Sequence, residues 1–274
     1  MLHHAGARPR TTGHGRRARA VLAAGACVAL ATACGSPRSQ AAASPTSGGL
    51  SVRYEAPARG GADERAFLRD RGLAERVAKD LNGSLRLPER VEVVGRSCEV
   101  DGVPEYDEET RRISLCYSFV AEVRGMFERD RPRDAAERTA GVITETLYHE
   151  AGHALVDTLD LEPTGSAEDV ADQFAAYRLI PRGPTGRAAV LAAADNYAQY
   201  ARETAPEDVD LTDEHPPDAA RAAGYRCYLH GAAPKASEGL VDGRLLTKER
   251  AEGCEREYEE LRRGWDRLLA GHWR

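Results

Sequence analysis

Residues Thr139 to Asp160 read TAGVITETLYHEAGHALVDTLD and are the most informative segment of the sequence. It contains no proline, and its apolar residues recur every three or four positions, which is the period of an α-helix. Inside it lies His149-Glu150-Ala151-Gly152-His153, which has the form H-E-x-x-H. Histidines four positions apart lie one turn apart on the same helix face, so both imidazoles can reach one metal ion. The alternative is a pair of surface histidines on an ordinary amphipathic helix.

Two other residues of the pentapeptide fit a catalytic zinc site. Glu150 is adjacent to one histidine, where its carboxylate can take a proton from a water activated by the metal. Gly152 is unusual, because a glycine inside a helix costs roughly 1 kcal/mol relative to alanine. The missing side chain would let another element pass close to the face that carries the ligands.

A zinc site needs a third protein ligand from another element, since a straight helix offers only one face to the ion. Soon after the motif, Ser166 and Asp169 form a capping signature for a new helix. Glu168 falls in the first turn of that helix, and Asp172 lies one turn further along the same face. We therefore predict Glu168 as the third zinc ligand and Asp172 as the acceptor of a hydrogen bond from a ligand imidazole.

Each of these acidic residues has an alternative interpretation. Glu168 and Asp169 would also favour the positive end of a helix dipole without any metal. Asp157, one turn past His153, competes with Glu168 for the ligand position. Its helix carries it away from the ion, which ranks it below Glu168.

The pattern H-E-x-x-H followed by E-x-x-A-D resembles the zincin metallopeptidases whose third ligand is a glutamate. More closely, the chain resembles a bacterial family of domains of unknown function that are described as metallopeptidases. The shared elements are Cys98, Tyr106-Asp107, Ile113–Tyr117, HEAGHAL (His149–Leu155), Gly165, EDVADQFA (Glu168–Ala175), Asp213-Glu214-His215, Cys227-Tyr228, Cys254 and Tyr258–Leu269. The loop before Tyr106 departs from the family, with Glu-Tyr after Pro104 in place of asparagine and an aromatic residue. The resemblance implies the same zinc ligands and the same base, and it implies no substrate.

His215 is a further catalytic candidate, supported by its place in the Asp-Glu-His element of that resemblance. It precedes two prolines, so it lies in a loop or at a helix start, where functional residues concentrate. Peptide hydrolysis needs a hydrogen-bond donor for the developing oxyanion, and a loop histidine can provide it. The alternative is a histidine that caps the next helix or bonds to Glu214.

The N-terminus predicts export. An uncharged apolar run, Ala20 to Ala33, follows five arginines in the order typical of a secretory signal. This run is shorter than the about 20 residues of a membrane-spanning helix. LATACGS, ending at Ser36, resembles a bacterial lipoprotein processing site with Cys34 as the lipidated residue, although leucine is more usual than Ala31. Cleavage without lipidation and twin-arginine export through Arg16-Arg17 stay open.

These features predict a signal peptide over residues 1–33, a flexible tether over 34–58 and a zincin-like domain over 59–274. Removing residues 1–33 takes away five arginines and no acidic residue, so the formal net charge changes from −6 to −11. Such an acidic protein is unsuited to binding nucleic acid. We expect contact with a membrane only through a lipid at Cys34.

The remaining pattern favours an α+β fold with a small antiparallel sheet and several helices. Apolar periodicity predicts strands over Val91–Val94 and Arg112–Val120. Helices are predicted at Asp63–Leu81, Val120–Glu128, Glu168–Ile180, Arg187–Glu203, Asp218–Leu229 and Thr247–Ala270.

Four cysteines, Cys98, Cys116, Cys227 and Cys254, remain after the signal and Cys34 are set aside. They allow three pairings, and proximity along the chain favours Cys98 with Cys116 and Cys227 with Cys254. A second, structural metal site is the alternative, but no C-x-x-C spacing or paired histidine accompanies them.

The sequence as a whole predicts an exported zinc metalloendopeptidase that acts on a peptide or protein substrate. The alternative is a non-catalytic binding lipoprotein at the cell surface, built on a metal-stabilised zincin scaffold. An intact Glu150 favours the enzyme, since metal binding alone does not require this residue.

The predicted compartment and cysteine pairing can be tested together. Thiols oxidise outside the cytoplasm, so the two predicted bridges should form in the exported protein and persist when metal is chelated. Each should contribute roughly 2–4 kcal/mol by restricting the unfolded chain. Non-reducing peptide mapping measures this, and four free thiols in protein exported by its native host would contradict both expectations.

Overall fold

The computed structural model describes residues 48–58, 60–99, 102–210, 212–213 and 215–274. The predicted signal peptide, Cys34 and residues 34–47 of the predicted tether lie outside the described residues. In the part that is described, no helix is both long enough and apolar enough to cross a lipid bilayer.

A four-stranded sheet forms one side of the domain, with strand order β1-β2-β4-β3. Its strands are β1 (Gly49–Tyr54), β2 (Arg90–Arg96), β3 (Glu105–Asp107) and β4 (Arg112–Cys116). β2 pairs in parallel with both β1 and β4, and only the β3–β4 pair is antiparallel. The α+β class is confirmed, but the prediction of an antiparallel sheet is wrong. Two helices separate β1 from β2, and such a crossover returns the chain in the same direction.

The first strand corrects the predicted tether. The sequence predicts a flexible segment here, yet Gly49–Tyr54 pairs with β2 in register from Gly49 opposite Arg90 to Tyr54 opposite Gly95. Leu50 is buried, and the Asn82 side chain bonds both its N–H and its carbonyl oxygen at 2.8 Å. These bonds satisfy backbone groups of an edge strand that would otherwise need water.

Helices make up most of the domain. They are α1 (Ala62–Arg71), α2 (Leu73–Ser84), α3 (Tyr117–Asp130), α4 (Ala135–Thr158), α5 (Ala167–Leu179), α6 (Gly183–Glu203), α7 (Asp218–Ala232), α8 (Lys248–Ala251) and α9 (Cys254–Leu268). Short 3₁₀ segments cover Ile180–Arg182, Pro206–Asp208 and Pro234–Leu240.

Two predicted helices are each divided in the structure, and one predicted strand is shorter than expected. The helix predicted over Asp63–Leu81 is two helices, because Gly72 adopts a left-handed conformation with φ of 56° that ends α1. The strand predicted to run to Val120 ends at Cys116, and α3 begins at the next residue. The last predicted helix, Thr247–Ala270, is divided into α8 and α9.

The central element is α4, which contains the H-E-x-x-H motif. It packs against α2, α3, α5 and α6 and against strands β3 and β4. Ile143, Leu147, Ala151 and Leu155 are at most 1 % exposed along it. Because neighbours cover several of its faces, α4 is a buried helix, and this burial fixes the direction in which the motif side chains project.

Gly152 lies where α5 crosses α4. A Cβ atom added at Gly152 would be 3.1 Å from the Ala171 Cα and 3.2 Å from the Phe174 Cβ. The missing side chain therefore permits the close approach of a second helix that the sequence predicts.

Two disulfide bonds join the pairs predicted from the sequence. Cys98 bonds to Cys116, linking the segment after β2 to the end of β4, with a Cα separation of 5.3 Å. Cys227 bonds to Cys254, linking α7 to α9, with a Cα separation of 5.0 Å. Both separations lie within the roughly 4.4–6.8 Å that a disulfide requires.

The contact at Gly152 generates a prediction about stability. Gly152→Ala should forgo the roughly 0.5–1 kcal/mol that alanine normally gains over glycine in a helix, because α5 must move by a few tenths of an ångström. Gly264→Ala in α9 is the matched control, since nothing lies within 4 Å of its added Cβ. Denaturant unfolding should show the gain in free energy of unfolding only for Gly264→Ala. Equal stabilisation of both variants would contradict the tight packing of α4 and α5.

Candidate metal centre

Two helices bring three potential metal ligands together. His149 and His153 project from α4, and Glu168 is the second residue of α5. Ser166 caps α5 by accepting a hydrogen bond from the Asp169 N–H at 3.1 Å, as the sequence predicts. This cap fixes the start of α5 and thereby the position of Glu168 opposite the two histidines.

The spacing of the three side chains fits one small cation. His149 Nε2 lies 3.1 Å from Glu168 Oε2, and His153 Nε2 lies 3.3 Å from Glu168 Oε1. The two Nε2 atoms are 3.2 Å apart. A tetrahedral ion with bonds of about 2.0–2.1 Å holds its donors about 3.3–3.4 Å apart, and two imidazoles with one carboxylate form a known catalytic zinc set. The residues present therefore fit zinc.

The tautomer of His149 supports the same conclusion. Its Nδ1 lies 2.8 Å from Asp172 Oδ1, so Nδ1 carries the proton that the carboxylate accepts. Nε2 is then directed at His153 Nε2 and Glu168 Oε2, and it would offer its lone pair to a bound metal ion once its own proton is displaced. No described residue makes a well-directed hydrogen bond to Oε2. Electron-rich atoms this close favour a shared cation between them.

Burial and charge shift the ionisation of this group. Burial alone would lower the pKa of His149, but the Asp172 and Glu168 carboxylates raise it to about 10. Burial alone would raise the pKa of Glu168, but the three neighbouring imidazoles hold it well below its usual range. Both shifts show that an anionic Glu168 and a positive charge at the histidines stabilise each other.

Glu150, the predicted base, is 6 % exposed. Burial raises its pKa above the ordinary value for a glutamate, and the nearby His149 and His153 oppose the shift. A carboxylate with a raised pKa is a better proton acceptor, which suits general base catalysis near neutral pH.

His215 reaches the same cluster from the loop before α7. Its Nε2 lies 3.0 Å from Glu168 Oε2, and its Nδ1 lies 3.1 Å from Asp213 Oδ1. Asp213 also accepts a hydrogen bond from the His215 backbone N–H at 2.8 Å. The contact with Glu168 raises the pKa of His215. The alternative partner, Glu214, lies outside the described residues.

Asp157 has a different environment. It accepts a hydrogen bond of 2.5 Å from the Tyr106 hydroxyl of β3 and is not part of the cluster formed by His149, His153 and Glu168. The geometry therefore favours Glu168 over Asp157 as the third ligand.

Residues behind His149 were not predicted from the sequence. Arg221 of α7 binds Asp172 through Nε at 2.8 Å and Nη2 at 2.6 Å, and the Tyr225 hydroxyl lies 3.1 Å from Asp172 Oδ1. Tyr225 also contacts Glu145 Oε1. One signal was available: Glu145 lies one helical turn before His149, and Tyr225 lies one turn after Arg221.

Glu145, His149 and Asp172 form a second cluster with metal-ligand chemistry. Here the cationic partner is a side chain, because the Arg221 guanidinium makes two hydrogen bonds to Asp172. Arg221 also lies over the Tyr197 ring, 4.0 Å from its centroid. In this second cluster the Arg221 guanidinium takes the place that a metal ion would have. The cluster therefore supports His149 of the first cluster from behind.

The surface opening lies on the His153 side of the site. The side chains of His153 and His215 are 20 % and 44 % exposed, whereas that of His149 is 7 % exposed. A separate cavity of about 350 Å³ lies along another face of α5, lined by residues that include Val170, Gln173 and Trp265. The candidate centre reaches the surface without that cavity.

Comparison with known proteins agrees with the geometry. A family model, DUF4344, described as "Putative metallopeptidase", matches residues 55–269. The chain belongs to this family. The match includes all the residues of the candidate centre and begins within the segment that the sequence assigned to the tether. No curated protein and no solved structure matches the chain.

The ligand assignment predicts distinct metal contents for matched variants. His149→Ala, His153→Ala and Glu168→Gln should each lose most bound zinc, because the first two remove a donor and the third replaces an anionic donor with a neutral amide. Asp157→Asn is the control and should keep wild-type zinc, since Asp157 bonds to Tyr106. Metal analysis of the purified proteins measures this. Zinc that is lost in Asp157→Asn and retained in Glu168→Gln would reverse the assignment.

Proposed function

We propose that this protein is an exported zinc metalloendopeptidase that hydrolyses peptide bonds within polypeptides. Membership of a metallopeptidase family supports the peptidase class. The observation that carries the proposal is the convergence of His149, His153 and Glu168 beside a buried Glu150. Zinc is the proposed metal because two imidazoles and one carboxylate, with an open side toward solvent, are typical of catalytic zinc sites.

The chain's own residues account for the proton transfers. A zinc ion bound by the three ligands would polarise the scissile carbonyl and lower the pKa of a coordinated water to about 7. Glu150 then accepts a proton from the attacking water on its carboxylate. It returns this proton to the leaving amine nitrogen, which completes the cleavage.

His215 is proposed to stabilise the oxyanion that develops on the substrate carbonyl. Asp213 orients its ring through Nδ1, and Nε2 faces Glu168 at the exposed edge of the site. A substrate entering from that edge can replace this contact and accept a hydrogen bond from Nε2. His215 therefore acts on the substrate rather than as a metal ligand.

Export and lipidation at Cys34 complete the proposal. Both disulfides suit an oxidising compartment, and the basic and apolar start of the chain has the form of a signal. The formal charge of −11 after its removal gives no reason to expect a nucleic-acid partner. A lipid at Cys34 would be the attachment to the membrane.

The catalytic roles predict separate effects of two variants. Glu150→Gln keeps the shape of the side chain and the three ligands but removes the base, so zinc should stay bound while kcat falls at least ~10²-fold. His215→Gln should lower kcat by a smaller factor with zinc content and KM little changed. Cleavage of a peptide library by the purified mature domain, with and without chelator, provides the assay.

The same assay tests the finer parts of the proposal. Cleavage at internal positions of the library supports an endopeptidase, and removal of terminal residues alone would contradict that class. Full activity in Glu150→Gln would show that another group is the base. Stoichiometric zinc without cleavage of any peptide would favour the non-catalytic binding lipoprotein.

A further inference from the structure

A buried hydrogen-bonded chain lies behind the proposed metal ligand His149. It runs from Asp172, which accepts from His149 Nδ1 at 2.8 Å, through the Tyr225 hydroxyl to Glu145. Glu145 and Tyr225 are at most 1 % exposed, and Asp172 is 8 % exposed. The chain therefore ends inside the protein, on a glutamate to which no role has been assigned.

Few protons are available for the hydrogen bonds between Asp172, Tyr225 and Glu145. The Tyr225 hydroxyl has one proton to donate but contacts a carboxyl oxygen on each side, at Asp172 and at Glu145. Asp172 accepts two hydrogen bonds from the Arg221 guanidinium, which marks it as the ionised carboxylate. If Tyr225 donates to Asp172, the remaining contact requires a proton from Glu145.

Charge leads to the same assignment. Among the described residues, Arg221 pairs with Asp172, and no ion pair joins Glu145 to any cation. Glu145 Oε2 is buried, and no described residue makes a hydrogen bond to it. An ionised carboxylate left in this state would be costly, whereas a neutral acid is tolerated. Burial, and then the charge of Asp172, raise the pKa of Glu145 above the ordinary value for a glutamate.

We propose that Glu145 and Tyr225 are positioning residues for His149. Glu145, as a neutral carboxylic acid, donates a hydrogen bond to Tyr225, which directs its own proton to Asp172. Asp172 then holds the His149 ring with Nδ1–H bound and with Nε2 directed at the ligand cluster. This inference depends on the proposed function, because it assigns the purpose of the chain to the metal site.

The proposal predicts an effect of one substitution along the hydrogen-bonded chain and no effect of another. Tyr225→Phe removes the hydroxyl but keeps the ring that stacks with Tyr197. Tyr225 bonds to Asp172 and not to the ligand itself, so the zinc dissociation constant should rise severalfold, less than the roughly 10–100-fold that is typical when a direct partner of a ligand is lost. Glu145→Gln keeps a neutral group that can donate to Tyr225, so zinc affinity should stay at the wild-type value.

The matched control is Tyr200→Phe. It removes another tyrosine–glutamate bond, from Tyr200 to Glu122 at 2.9 Å, at a site that does not include Asp172. This control should change neither zinc affinity nor the environment of His149. It separates the loss of a positioning bond from the general loss of a hydroxyl.

A second readout uses the metal-free protein and needs no activity. The Nδ1–H proton resonance of His149, assigned by its loss in His149→Gln, reports the hydrogen bond to Asp172 directly. It should shift in Tyr225→Phe and remain in place in Glu145→Gln and Tyr200→Phe. If the wild-type protein binds no zinc, the proposed function fails, while this resonance still tests the chain.

Two outcomes would overturn the inference. Glu145→Gln that weakens zinc binding or shifts the resonance as much as Tyr225→Phe would show that Glu145 acts as a charge. Tyr225→Phe that behaves like Tyr200→Phe in both measurements would show that the chain has no positioning role. If Tyr225→Phe does not fold, Glu145→Met takes its place, because methionine cannot donate to Tyr225: it should shift the resonance that Glu145→Gln leaves unchanged, and equal behaviour of these two variants would overturn the inference.

Discussion

The close approach of α5 to α4 is the constraint on which the candidate site depends. The histidines come from α4 and Glu168 from α5, so their separations of 3.1 and 3.3 Å hold only while the helices stay in contact. Gly152 allows this contact, because any Cβ there would press on Ala171 and Phe174. Metal–ligand distances tolerate only about 0.2 Å, which is less than the shift that a methyl group would require.

Asp172 connects this helix pair to the rest of the domain. Its carboxylate accepts hydrogen bonds from His149 of α4 and Arg221 of α7, and Tyr225 lies within hydrogen-bond distance. Burial alone would raise the pKa of Asp172, but Arg221 and His149 hold it well below its usual range. The disulfide at Cys227, two residues after Tyr225, joins α7 to α9 and so restrains the helix that supplies these partners.

Access differs between the two sides of the proposed metal site. His149 is enclosed by its hydrogen-bonded partners, whereas His153 and His215 reach the surface. An ion held from the buried side by three protein ligands would have its remaining position toward solvent, which is the arrangement of catalytic rather than structural zinc. This asymmetry agrees with membership of a metallopeptidase family.

Local sequence signals were sufficient to predict how the site residues lie within their own helices. Helical periodicity placed His149 and His153 on one face, and the Ser166 cap placed Glu168 in the first turn of α5, because these signals act within a few residues. The contacts between residues that are distant in the sequence depend on the tertiary structure. The parallel pairing of β1 with β2, the Tyr106–Asp157 bond and the Glu145–Tyr225 chain join residues more than 35 positions apart. No local pattern encodes such contacts, because they depend on how whole helices and strands pack around α4.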